Sequence, residues 1–248
     1  MWILKKAFYW HPTFDGTLYS NPGEEDIKRA YELWDHAESL VKDASNAFQL
    51  ADALSNLKRA LNKRLMQIES LYKIKQLFSK NQAFLETLNE VGIVRPFIIK
   101  QLFDIRNGIE HNDKPVPSVS RCRELLDATW YFLRSTDAVC SYYRNEIQYN
   151  PKSFLDGHFC SLKLIFDASK SQSFYGRFPA DYLHPKEVVD SIQFKCTRST
   201  QLGDSPAYRT LLREHPELKP TDRDVRGRII LPKELYLKVL RDLLLTRY

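Results

Sequence analysis

The apolar residues of roughly the first 150 positions recur every three or four residues, and this spacing constrains the fold more than any other feature of the sequence. The clearest stripe consists of Leu50, Leu54, Leu57, Leu61, Leu65 and Ile68. We expect four basic residues of this helix, Lys58, Arg59, Lys63 and Arg64, to lie outside its core face. Similar spacing over residues 24–44, 82–91, 97–109 and 122–147 predicts further helices, which short loops would join into an antiparallel bundle.

The pattern changes near Asn150, where helical spacing gives way to alternation. Leu162, Leu164 and Phe166 alternate with other residues as in a strand, and we expect residues 173–178 and 191–196 to form partner strands. The polar stretch 203–224 predicts a long surface loop, and Pro232 opens an amphipathic helix. We therefore predict a mainly α protein with an N-terminal extension over residues 1–21, a four-helix bundle over 22–149, in which the short segment 82–91 belongs to a connection, and a small α+β region over 150–248. The spacing does not decide whether residues 2–10 pack on the bundle or extend the sheet.

Composition excludes several classes of protein. The chain has 37 Lys and Arg against 31 Asp and Glu, a net charge of +6, and 43% hydrophobic residues, which is too apolar for an intrinsically disordered protein. Residues 1–149 carry a net charge of +1 and residues 150–248 carry +5. No apolar run approaches the ~18 residues of a membrane helix, and the four cysteines form no CxxC pair. We expect a cytoplasmic protein with reduced thiols, no membrane partner, no cofactor and no metal site.

The segment with the side chains best suited to catalysis or ligand binding is FDIRNGIEHNDKP, residues 103–115. On a helix, Asn107 and His111 share a face, Arg106 flanks them, and Glu110 is placed to pair with Arg106. These side chains offer a phosphate clamp, an orienting amide and a proton-transfer group near neutral pH. A purely structural role is the alternative, because Arg–Glu pairs and cations near a helix C-terminus are favourable in themselves. In the same way, Lys58, Arg59, Lys63 and Arg64 either bind RNA phosphates or form a solvated face.

The hexapeptide from Arg106 to His111 resembles the R-N-x-x-x-H motif of HEPN domains (higher eukaryotes and prokaryotes nucleotide-binding). The helical surroundings over roughly residues 22–148 are similar to the four-helix bundle of that superfamily. The resemblance implies a homodimer with a composite cleft and metal-independent endoribonuclease activity, in antiphage defence or a toxin–antitoxin system. A defence-system or antitoxin protein would then be a further partner.

The resemblance also assigns roles to residues. His111 would be the acid and base, Arg106 would stabilise charge on the phosphate, and Asn107 would orient the phosphate or the histidine. Glu110 falls at a variable position of the motif and would form a salt bridge with Arg106. Some HEPN toxins continue with a tyrosine that an antitoxin modifies, but Asp113 stands there, so this control is not expected. Other HEPN modules are catalytically silent and only sense nucleotides or bind proteins, which is the alternative function.

Overall fold

The computed structural model describes residues 1–13, 24–77, 84–141, 145–151, 160–166, 171–216 and 218–245. Within these residues the chain forms seven α-helices and eight β-strands. The helices are α1 (Glu24–Lys42), α2 (Ala47–Tyr72), α3 (Phe84–Val91), α4 (Pro96–Asn112), α5 (Val119–Ser141), α6 (Tyr208–Glu214) and α7 (Lys233–Leu245). The strands are β1 (Trp2–Leu4), β2 (His11–Thr13), β3 (Glu146–Asn150), β4 (Ser161–Ile165), β5 (Gln172–Phe178), β6 (Leu183–His184), β7 (Ser191–Gln201) and β8 (Arg223–Ile229).

The chain divides into two compact units, which we describe separately. A helical unit spans Leu18–Tyr143, and a sheet unit combines Met1–Thr17 with Arg144–Tyr248. The described helices of both units lack the combination of length and apolarity that a membrane span requires.

The helical unit follows the predicted periodicity. α2 begins after Asn46, whose side-chain oxygen accepts a hydrogen bond from the backbone N–H of Gln49 at 3.1 Å, as an N-cap residue does. Every apolar residue of the predicted stripe from Leu50 to Ile68 is buried. α1 begins with three acidic residues in its first turn, and Pro96 occupies the first turn of α4. The helices predicted over residues 24–44, 50–68, 82–91 and 97–109 are therefore confirmed. Gln82, the predicted start of the short helix, lies outside the described residues.

The sheet unit contains one antiparallel sheet with the strand order β2-β3-β4-β5-β8-β7-β1-β6. One sheet face is buried beneath α7, where Tyr236 packs edge-on against Phe166 at 5.6 Å between ring centroids. On the same side the Tyr149 hydroxyl donates to the carboxylate of Asp242 at 2.8 Å. β1 pairs with both β7 and β6, and Ile3 in its centre is fully buried. The N-terminal strand therefore extends the sheet, which answers the question that the spacing left open.

The prediction of a mainly α, HEPN-like four-helix bundle followed by a small α+β region is wrong. The finding that overturns it is the eight-stranded antiparallel sheet, which recruits strands from both ends of the chain. The last helix of the bundle was expected to reach Ile147, but α5 ends at Ser141 and Ile147 lies in β3 opposite Leu164. Ile147 fits the helical spacing by position alone, whereas pairing with β4 buries it at 1% exposure. The predicted loop over 203–224 also contains α6 and the first residues of β8.

Candidate active site

The end of α4 determines where the candidate residues stand. Asp113 adopts the left-handed conformation with a φ of 47°, and its backbone N–H bonds to the carbonyl of Gly108. The N–H of Lys114 reaches the same carbonyl at 3.1 Å, and Pro115 prevents the helix from continuing. Aspartate tolerates this conformation better than most residues. The predicted end of the helix just after His111 is therefore confirmed, and it places Arg106, Asn107 and His111 in the last two turns.

Arg106 and Glu110 form an ion pair along the helix. Both terminal nitrogens of the Arg106 guanidinium contact the Glu110 carboxylate, one through a hydrogen bond, as their i, i+4 spacing favours. The Nε of Arg106 is buried and has no hydrogen-bond partner among the described residues. Glu110 Oε2 also lies 3.3 Å from His111 Nε2. Glu110 thus contacts both Arg106 and His111, while the His111 side chain remains 67% exposed and open to a ligand.

A lysine from α2 joins this cluster. Lys58 Nζ donates to Asn107 Oδ1 at 2.8 Å and lies 5.9 Å from the centroid of the Phe103 ring. Partial burial, and to a lesser extent the positive charge of Arg106, lower the pKa of Lys58 below its usual value. The cluster of Lys58, Arg106, Asn107, Glu110 and His111 therefore carries two cations close together against one carboxylate, a balance that suits a phosphate ligand.

The other three basic residues of α2 do not join the cluster. Arg59 is exposed, and its guanidinium donates to Asn56 Oδ1 at 3.3 Å. Lys63 forms a salt bridge of 2.7 Å with Asp26 of α1. The prediction that Arg64 lies outside the core face is wrong, because its side chain is fully buried and bonded to α5. A side chain in that position has no solvent-facing atom to offer an RNA phosphate.

The burial of Arg64 is predictable from the sequence, whereas the contact of Lys58 with Asn107 is not. Arg64 lies three residues after Leu61 and four before Ile68, so helical geometry puts it on the apolar stripe. Lys58 and Asn107 are 49 residues apart, and only the packing of α2 against α4 brings them together. No local pattern in the sequence encodes that contact.

The described residues contain no group of three or more His, Cys, Asp or Glu side chains arranged to hold a metal ion. In comparisons with known proteins, no family model matches the sequence, and no curated protein or solved structure gives a significant match. The functional assignment therefore depends on the cluster at the end of α4 and on the hexapeptide that forms it.

Proposed function

We propose that this protein is a metal-independent endoribonuclease of the HEPN type, acting in antiphage defence or in a toxin–antitoxin system. The observation that carries the proposal is the presence of Arg106, Asn107 and the 67% exposed His111 in the last two turns of one helix. Lys58 supports it, because it adds a second cation beside Arg106. The resemblance to the HEPN motif supplies the reaction, and the active form would be a homodimer with a composite cleft.

In the proposed reaction the ribose 2′-hydroxyl gives its proton to a His111 imidazole, and its oxygen attacks the adjacent phosphorus. The bond between phosphorus and the 5′-oxygen breaks, and the 5′-oxygen takes up a proton from an imidazolium. The products are a 2′,3′-cyclic phosphate and a 5′-hydroxyl end. Arg106 and Lys58 stabilise the negative charge that develops on the phosphate, and Asn107 orients it.

The test is cleavage of total RNA in the presence of EDTA. We expect the wild-type protein to cut, and we expect Arg106→Ala and His111→Ala each to lower the rate at least ~100-fold, the lower range for loss of an acid–base or charge-stabilising group. Mass spectrometry of the products should show cyclic phosphate ends.

Matched controls exist for both substitutions. His36 is an exposed histidine on α1, and Arg123 is an exposed arginine on α5. His36→Ala and Arg123→Ala should both retain cleavage within a few-fold of wild type. Equal cleavage by the Arg106 and His111 variants would show a contaminating nuclease and contradict the proposal.

A second candidate function is a catalytically silent module that senses nucleotides or binds a partner protein. It is favoured by the contacts that already occupy the candidate residues, since Arg106 is paired with Glu110 and Asn107 accepts from Lys58. A wild-type protein that cuts no RNA under any condition, yet copurifies with the product of a neighbouring gene, would favour this function.

A further inference from the structure

The exposed face of the sheet, opposite the face beneath α7, carries a concentration of cations. Side chains alternate between the two faces of a strand, and in β8 Val225 and Ile229 are buried while Arg226 and Arg228 are exposed. Residues opposite one another on neighbouring strands share a face, and two such rows cross the sheet. The rows are Lys163, Tyr175, Arg226 and Arg198, and Ser161, Arg177, Asp224 and Thr200. We call the surface formed by these residues together with Lys195 and Arg228 the basic sheet face.

An irregularity in β7 brings Arg198 to the same face as Lys195. Lys195 lies opposite Arg228, and the register then shifts so that Arg198 rather than Thr197 lies opposite Arg226. Thr197 takes the extra position, where its hydroxyl donates to the carbonyl of Arg226 at 3.0 Å. Because of this bulge, the side chains of Lys195 and Arg198 lie on the same face of the sheet although the residues are three positions apart.

The result is two pairs of like charges directly opposite each other, Lys195 with Arg228 and Arg198 with Arg226. Such cross-strand pairs destabilise a sheet unless something neutralises them. They therefore indicate a surface that is completed by an anion.

The carboxylates near this face are already engaged. Asp224 accepts two bonds from Arg177, at 2.8 and 3.1 Å. Glu146 pairs with Lys163 at 2.5 Å, and this contact raises the pKa of the lysine. Arg198 has no carboxylate partner among the described residues, and neither does Arg226. Among the described residues of this face, uncompensated charge thus remains on the Arg198–Arg226 pair and on the neighbouring exposed Lys195.

The surroundings of the pair have the character of a single-stranded nucleic-acid site. The guanidinium of Arg226 lies 5.8 Å from the centroid of the Tyr175 ring, and Tyr175 is 38% exposed. Guanidinium planes and aromatic rings beside cations are the groups on which unpaired bases stack. A depression of about 360 Å³ lies here, and its lining includes Arg198, Arg226 and Tyr175 together with Thr200, Ser205 and the arginine-paired Asp224.

We propose that the basic sheet face binds single-stranded RNA, with a phosphate between Arg198 and Arg226 and bases against Tyr175. The choice of RNA among anionic polymers rests on the proposed function, because a ribonuclease must hold its substrate. The affinity for a phosphate backbone rests on the charges of the face alone.

The experiment measures binding of a fluorescent 2′-O-methyl oligouridine by anisotropy over a range of salt concentrations. This probe lacks the 2′-hydroxyl nucleophile, so attack by that group cannot cleave it. Arg198→Gln with Arg226→Gln should weaken binding at least tenfold at ~0.1 M salt. The slope of log affinity against log salt should flatten by about 0.7, the value for one neutralised phosphate of a single strand, because both guanidiniums contact the same phosphate.

The control variant is Lys186→Gln with Arg213→Gln. It also removes two positive charges, but from exposed positions outside the basic sheet face. It should bind nearly as wild type does. Without RNA, the Arg198 and Arg226 variant should melt at or above the wild-type temperature, because like-charge repulsion is relieved. Weak binding by that variant together with an unchanged melting temperature therefore reports a lost contact rather than misfolding.

Three outcomes would overturn the inference. They are no binding by the wild type, equal binding by the Arg198 and Arg226 variant, and tighter binding of a duplex or an acidic peptide than of the single strand. Failure of the proposed ribonuclease activity can be told apart from failure of this inference, because binding of an uncleavable probe involves no cleavage step. A wild type that binds the probe through Arg198 and Arg226 but cuts no RNA would contradict only the proposed function, whereas a wild type that cuts RNA and an Arg198 and Arg226 variant that binds equally well would contradict only this inference.

Discussion

Arg64 is a charged residue in the core of the helical unit, held by bonds to α5. One terminal nitrogen of its guanidinium donates to the Leu133 carbonyl at 2.7 Å and to the Thr136 hydroxyl at 2.8 Å, and the other pairs with Asp137 at 2.9 Å. The Tyr31 hydroxyl of α1 donates to the second oxygen of Asp137 at 2.7 Å. Burial, followed by this hydrogen bond, raises the pKa of Tyr31 to about 12, so the phenol stays a donor at neutral pH. The network therefore links α1, α2 and α5.

Replacing Arg64 with Met should destabilise the protein markedly. The substitution removes the guanidinium, which leaves Asp137 without its buried cation and takes away one of the donors to the Leu133 carbonyl and the donor to the Thr136 hydroxyl. Breaking a buried pair in this way costs roughly 3–5 kcal/mol, and the partial exposure of Asp137 favours the lower end of that range. Urea denaturation measures the loss. Arg59→Met, five residues earlier on the same helix and exposed, should stay within about 0.5 kcal/mol of wild type, and similar losses for both variants would contradict this role of Arg64.

At the scale of single elements, the sequence predicts the helices better than the strands for a physical reason. The signals that predict α2, α4 and α7 lie within or next to each helix: an N-cap residue before α2, a proline in the first turn of α4, and apolar residues at helical spacing in α7. Each of these helices can therefore be predicted from a short stretch of sequence. β1 and β2 are three residues long and gain their stability from partners such as Ile192 and Tyr149, more than 130 positions away. β4, β5 and β7 alternate clearly enough to be predicted, although β7 extends to Gln201, past the predicted end at residue 196.

The close packing of β8 depends on a glycine. Gly227 lies opposite Phe174, and a Cβ placed on it would come within 2.7 Å of the Lys195 carbonyl oxygen. The same atom would lie 3.1 Å from the rings of Phe174 and Phe194, which pack edge to face at 5.0 Å between centroids. The two rings thus fill the space that a side chain would occupy.

Gly227→Ala should therefore destabilise the sheet unit, by about 1–3 kcal/mol for an overpacked core site. Chemical denaturation followed by tryptophan fluorescence measures the change. Gly108→Ala in α4 is the matched control, because its Cβ would meet chiefly the flexible end of the Lys114 side chain at 2.9 Å. Alanine in the interior of a helix gains about 0.5–1 kcal/mol over glycine, so this variant should be neutral or stabilised. A Gly227 variant as stable as the Gly108 variant would show that the β8 backbone can shift away.

On the scale of the whole molecule, the two units differ in both connectivity and charge. The helical unit is one continuous segment, 18–143, whereas the sheet unit needs residues from both ends of the chain. By these bounds the sheet unit holds 20 Lys and Arg against 14 Asp and Glu, a net charge of +6, and the helical unit holds 17 of each. The whole positive charge of the protein thus belongs to the unit with the basic sheet face, while the Arg106–His111 cluster belongs to the neutral unit. The uneven charge was visible in the sequence, but the contribution of the N-terminal segment was not, because it depends on strand pairing.

The connectivity predicts that residues 18–143 fold when expressed alone, since the buried stripe of α2 and the Arg64 network are complete within this segment. Far-UV circular dichroism should show helix and a single cooperative melting transition. Because this segment has no net charge, it should bind the 2′-O-methyl oligouridine at least tenfold more weakly than the full chain does. Residues 144–248 alone should not melt cooperatively, because they lack β1 and β2 and leave the partners of the buried Ile3 and Phe8 exposed. A well-folded 144–248 segment would show that the N-terminal strands are dispensable, and undiminished RNA binding by 18–143 would place the RNA contacts in the helical unit.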